Sequence, residues 1–215
     1  RPITDIHWWG SFIGWTQPTL PPQVPDYFHI CIWRDVPAGG PTYPWSHPST
    51  LLWEHKCYKW VWNFAGYDED PRFEYDPYNQ DLLGRPQENE ACFQFNQLLS
   101  EDEYFYQEPM EDGQPNVYWL SIAAVYEDTP IADIQYPWGW KTKPYDASKA
   151  PDAAGVIQRL DQATPPWAPG STHVVDFFPL LLPDPYAYPE GQWFDLAFEL
   201  TTNAKEPDKC YDDEG

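Results

Sequence analysis

Apolar and mixed positions alternate with a period of two in Phe28-His29-Ile30-Cys31-Ile32-Trp33, and again in Phe194-Asp195-Leu196-Ala197-Phe198-Glu199-Leu200. Residues two apart on an extended chain share a face, so this period predicts strands, the second with apolar side chains inward and acids outward. Strand-like stretches rich in β-branched and aromatic residues recur at 3–9, 27–33, 50–63, 91–98, 104–107, 117–126, 173–182 and 193–201. Turn clusters such as Val36-Pro37-Ala38-Gly39-Gly40-Pro41 and Glu111-Asp112-Gly113-Gln114-Pro115 separate them. One helix is compatible with the pattern, over 147–162: Asp146 can cap it, and Ala153, Val156, Ile157 and Leu160 share a face. Pro151 and Gly155 limit it to about two turns. The expectation is an all-β fold: an antiparallel two-sheet β-sandwich of jelly-roll type, with long Pro-rich loops and at most one short helix. With no internal repeat or low-complexity linker, residues 1–215 read as one domain ending in an acidic tail at 203–215.

Composition sharpens this picture. There are 26 prolines in 215 residues, against an average usage of about 5%, and that spacing breaks long helices. Aromatic residues are 18% of the chain, enough to fill a sizeable core. The proline-rich pieces 16–25 and 165–189 should be extended, and the second carries Val174-Val175-Asp176-Phe177-Phe178-Pro179-Leu180-Leu181-Leu182, apolar on both faces of any strand it forms. Such a segment is either enclosed in its own core or packs on another molecule.

A net charge of −22, from 12 basic and 34 acidic side chains, repels polyanions and anionic lipid surfaces, which excludes nucleic acid as a partner. No apolar run is long enough for membrane insertion by a helix. The first residues, Arg1 to Asp5, lack a signal-peptide pattern, so an exported chain is expected here in mature form or as part of a longer protein. The four cysteines, the Trp and Pro enrichment and the acidity favour an extracellular or cell-surface location.

The order of the tryptophan-rich blocks carries further information. Ile3-Thr4-Asp5-Ile6-His7-Trp8-Trp9-Gly10-Ser11 is followed by Val117-Tyr118-Trp119-Leu120-Ser121-Ile122, Tyr136-Pro137-Trp138-Gly139-Trp140-Lys141-Thr142 and Asp195-Leu196-Ala197-Phe198-Glu199-Leu200-Thr201-Thr202. The series resembles an uncharacterised family of secreted bacterial β-rich surface domains. The resemblance implies secretion and a β-sandwich, and no catalytic residues. Cys31 stands where that pattern would carry a glycine.

Four constellations carry candidate chemistry. His29-x-Cys31 and His55-x-Cys57 each place an imidazole and a thiol on one strand face; one antiparallel register would assemble all four as a tetrahedral zinc site, and a register shifted by one residue on each strand would set Cys31 against Cys57 for a disulfide. Other pairings or free buried thiols are the alternative. Asp68, Asp70, Glu74, Asp76 and Asp81 are a candidate calcium loop, calcium being the one cofactor expected, set against a merely solvated acidic surface. Trp138 and Trp140, flanked by Pro137 and Gly139 in an expected loop, with Trp8 and Trp9, are candidate platforms for stacking on a polysaccharide, set against plain core packing. Ile3, Ile6 and Trp8 at one end, and Val174, Phe177, Phe178, Leu180 and Leu182 near the other, are candidate assembly segments that could complete a neighbour's sheet.

Catalytic signatures are missing: there is no Gly-x-Ser-x-Gly elbow, His-Glu-x-x-His helix, phosphate-cradling glycine loop or dinucleotide fingerprint. The function expected from the sequence is therefore a non-enzymatic extracellular structural domain, a subunit of a surface fibre or sheath that binds copies of itself by strand addition. The alternative is a carbohydrate-binding module.

Overall fold

The computed structural model describes residues 1–37, 47–67, 90–108, 116–130, 133–144, 154–155, 178–179 and 194–202. The strands in chain order are β1 (Pro2–Ile3), β2 (Asp5–Phe12), β3 (Tyr27–Val36), β4 (His47–Cys57), β5 (Val61–Tyr67), β6 (Ala91–Leu98), β7 (Phe105–Tyr106), β8 (Tyr118–Val125), β9 (Trp138–Trp140), β10 (Thr142–Pro144), β11 (Ala154–Gly155), β12 (Phe178–Pro179), β13 (Phe194–Leu196) and β14 (Phe198–Thr201). Every pairing among them is antiparallel. The all-β expectation holds, and among the described residues there is no α-helix. Within the stretch expected to be helical, Ala154 and Gly155 instead pair with Pro179 and Phe178. Gly155 and the nearby Pro151 disfavour helix strongly enough for an extended pairing to win. The rest of 147–162, and the acidic tail, lie outside the described residues.

Two sheets make the body. One runs β14-β2-β6-β5, with β9 also on β2; the other runs β4-β3-β8. Along β2, Ile6, Trp8 and Phe12 are fully buried, and Phe93 and Phe95 of β6 join them on the same face. From the opposing sheet Phe28 enters this layer, its ring 5.2 Å from Trp8, 5.2 Å from Phe95 and 5.0 Å from Trp138. Edge-to-face and tilted contacts of this kind add about 0.5–1.5 kcal/mol each beyond the area they bury. Ile30 and Ile32 continue the inward face of β3. Trp138 closes over Gly10 so tightly that a Cβ added there would lie inside the indole, which is why this position of β2 carries no side chain.

Strand β3 is buried on its other face too. Tyr27, His29, Cys31 and Trp33 are at most 5% exposed. The alternation seen in the sequence thus separates two buried surfaces, one apolar and one polar, rather than a buried from a solvated one. A second buried polar point lies at the end of β2, in the larger sheet. The Glu90 carboxylate accepts hydrogen bonds from the Ser11 hydroxyl and the Gly14 amide (2.9 Å) and pairs with Lys141 Nζ (2.8 Å), tying β2, its following turn and the β9–β10 junction together.

Candidate functional site

On the outer face of the three-stranded sheet, His29 and Cys31 of β3 meet Glu54 of β4. Cys31 lies directly across from Glu54 on one side and from Ser121 of β8 on the other. His29 Nε2 is 2.9 Å from Glu54 Oε2 and 3.4 Å from Cys31 Sγ. Trp33 donates its indole N–H to Ser121 Oγ (2.9 Å), and Ser121 in turn hydrogen-bonds Cys31. Burial pushes the Cys31 thiol up to about 12, partly opposed by the Ser121 hydrogen bond, while the Glu54 charge raises it further. His29 and Cys31 are enclosed, whereas the Glu54 side chain is 45% exposed. A thiol held protonated is a poor nucleophile. Moreover, thiol and carboxylate both face the same ring nitrogen, whereas a nucleophile–base–orienter relay uses the two imidazole nitrogens separately.

The observed register corrects both cysteine readings. Phe28 pairs with Cys57, His29 with Lys56, Ile30 with His55 and Cys31 with Glu54. Because side chains alternate, His29 and Cys31 point outward while His55 and Cys57 point towards the other sheet. The four cannot surround one ion. Cys31 and Cys57 lie on opposite faces and are both reduced thiols, so the expected disulfide does not form. Cys57 instead donates its thiol to Gln97 Oε1 (2.6 Å), and burial pushes it up to about 12. His55 stacks on Trp53 and faces Glu103 at 3.4 Å; burial lowers its pKa, with the Glu103 charge acting in the other sense. Glu54 is not among the candidate ligands that the sequence offers. Its signal lies in Trp53-Glu54-His55-Lys56-Cys57, where Glu and Lys alternate against Trp, His and Cys.

The tryptophans and assembly segments are also redistributed. Trp8 is fully buried, so it serves neither as a sugar platform nor as an arm for a neighbour. Ile3 and Ile6 belong to the same core. Strand β2 lies between β6 on one side and β14 and β9 on the other, with its hydrogen bonds taken on both edges. Trp138 and Trp140 are in strand β9, not a loop: Phe12, Ser11 and Gly10 pair with Trp138, Gly139 and Trp140. Both are half-buried and packed against the core, and the Trp140 indole donates to the Ala197 carbonyl (2.9 Å). Trp9 is half-buried on the outward face of β2. Phe178 pairs through its backbone with Gly155. Val174, Phe177, Leu180 and Leu182, and the whole calcium set Asp68, Asp70, Glu74, Asp76 and Asp81, lie outside the described residues.

One feature that the sequence reading passed over is the edge strand β5. It pairs with β6, and among the described residues no strand pairs with its other edge. Its sequence, Val-Trp-Asn-Phe-Ala-Gly-Tyr, contains no charge and no proline. Trp62 and Phe64 turn inward onto Phe93 at 5.6 and 6.1 Å, yet Val61 is 64% exposed and Phe64 and Tyr67 are 38% and 42% exposed. A bulge between Phe64 and Gly66 bends the strand, with Gly66 at a φ of 127° that other residues rarely adopt.

Among known proteins, neither the curated proteins nor the solved structures give a match to this chain. Over residues 1–201, covering every strand described above, it matches the model of the Domain of unknown function (DUF7901), and the chain belongs to that family.

Proposed function

We propose that this is a non-enzymatic structural domain that joins copies of itself by strand addition at β5, outside the cell. The observation that carries the reading is the β5 edge. Natural sheets blunt exposed edges with Lys, Pro, bulges or short length; β5 is seven residues long, carries neither Lys nor Pro, and has its one bulge between Phe64 and Gly66, beyond its first four residues. Its stretch ahead of the bulge, Val61 to Phe64, offers main-chain groups in regular register, the requirement for adding a strand. The absence of charge on β5 also matters in a chain of net charge −22. Two copies approaching through this edge keep their acidic surfaces apart, and salt screens what repulsion remains. The extracellular setting rests on composition and on the tryptophan-rich blocks.

Sedimentation of the full chain over a range of concentrations tests the reading. Concentration-dependent oligomers that grow with added salt and are lost in Val61→Lys support it. The Val61 side chain is largely in solvent, so the substitution adds charge to the edge without emptying the core. A species that stays monomeric at high concentration and high salt, or oligomers indifferent to Val61→Lys, would overturn it.

A further inference from the structure

We propose that His29, Cys31 and Glu54 form a binding site for a zinc-class transition-metal ion on the outer face of the three-stranded sheet. Their ligand atoms all lie within 4.8 Å of one another. A shell of imidazole nitrogen, thiolate sulfur and carboxylate oxygen is the borderline-soft set that zinc takes, in preference to calcium or magnesium. The spacing is close to what such an ion imposes. Tetrahedral zinc with ordinary bond lengths separates nitrogen from sulfur by about 3.5 Å and nitrogen from oxygen by about 3.3 Å. The observed separations are 3.4 and 2.9 Å, and the sulfur and carboxylate oxygen lie within 4.8 Å of each other, where tetrahedral zinc needs about 3.6 Å, so the partly exposed Glu54 side chain has to shift to close the shell.

The convergence on one atom is the second argument. An imidazole nitrogen carries either one proton or one lone pair in the ring plane. With a proton, His29 Nε2 donates it to the Glu54 carboxylate at 2.9 Å and leaves the Cys31 sulfur beside an N–H aimed elsewhere; with a lone pair, it faces the carboxylate without a proton between them. A cation placed among the three atoms satisfies all of them at once, with the thiol proton released to solvent. Supporting contacts are already in place. Ser121 hydrogen-bonds the sulfur and is itself held by the Trp33 indole, a second layer of the kind that orients metal ligands. Two ligands come from adjacent positions of one face of β3, fixed by the sheet, and the third is the partly exposed Glu54, which gives an ion a way in and leaves water able to complete the shell.

The test uses the full chain, reduced with a non-thiol reductant and freed of metal, titrated with cobalt(II) and then with zinc against a chromophoric chelator. One cobalt per chain with a thiolate-to-cobalt charge-transfer band, bleached by zinc, is the expected result. That band distinguishes the site from carboxylates elsewhere on an acidic surface, which give none. The band should be lost in Cys31→Ser and kept in Cys57→Ser. Glu54→Gln, at a half-exposed position that leaves the fold intact, should weaken zinc binding about tenfold or more, and should shrink the rise in melting temperature that zinc produces in the unmodified chain. Absence of the charge-transfer band at one equivalent of cobalt overturns the proposal. So does a band that survives Cys31→Ser, or zinc stabilisation undiminished in Glu54→Gln.

Discussion

The two faces of β3 are buried to nearly the same degree by different chemistry. Inward, Phe28, Ile30 and Ile32 meet Trp8, Phe95 and Trp138 in a layer held by ring packing. Outward, Tyr27, His29, Cys31 and Trp33 meet Glu54, Lys56, Ser121 and Ala123, with hydrogen bonds joining His29 to Glu54 and Trp33 to Ser121. Apolar burial tolerates imprecise geometry and is lost in proportion to volume. Polar burial is worth little when satisfied and costs much when one partner is removed. The inner face therefore sets stability, and the outer face sets specificity at a few atoms.

Substitutions that strike one face at a time sharpen this contrast. Phe28→Ala empties the centre of the aromatic layer and is expected to cost about 3–5 kcal/mol, read from urea denaturation of the full chain. On the outer face, Ser121→Ala strands the buried Trp33 N–H without its acceptor, and a cost of about 1–3 kcal/mol is expected in the same measurement. Trp33→Phe removes the donor from the same hydrogen bond. The Ser121 hydroxyl keeps its contact with Cys31, so the expected loss falls to about 0.5–1.5 kcal/mol. If Trp33→Phe proves more damaging than Ser121→Ala, packing rather than hydrogen bonding governs the outer face too, and the contrast collapses. Smallest of all, Val61→Lys should leave stability within about 0.5 kcal/mol while altering association, which separates the edge strand from both faces.

The sequence makes some of this readable. The period of two in Phe28 to Trp33 sorts those residues correctly onto two faces, and the all-β architecture follows from it together with the proline spacing. Register is different. It turns on irregularities between Ile32 and Trp33 and between Trp33 and Asp35, which shift β4 against β3. A single-residue offset moves His55 and Cys57 to the opposite face and brings Glu54 to Cys31. Local pattern does not encode that offset, so the thiols were legible as candidates and their partners were not. Trp8 and Trp138 show the same limit. Whether an indole is platform or core depends on partners elsewhere in the chain, Phe28 for Trp8 and Gly10 for Trp138, and of Pro137 and Gly139, which resemble loop residues, the first precedes and the second lies within the pairing with β2. The single-face apolar pattern of 147–162 misled for a related reason, since Gly155 serves an extended pairing with Phe178.

The position of β2 has a consequence for biosynthesis. During synthesis β2 is made well before the segments that occupy its two edges, residues 91–98 on one side and residues 138–140 and 198–201 on the other. Until those segments have been made, a strand carrying Ile6, Trp8 and Phe12 has no native neighbour, and closure of such distant pairings is intrinsically slow. The nascent polypeptide must be kept from premature association until residue 201 has been made, so its yield in a host should depend on holdase capacity more than on the stability of the finished domain.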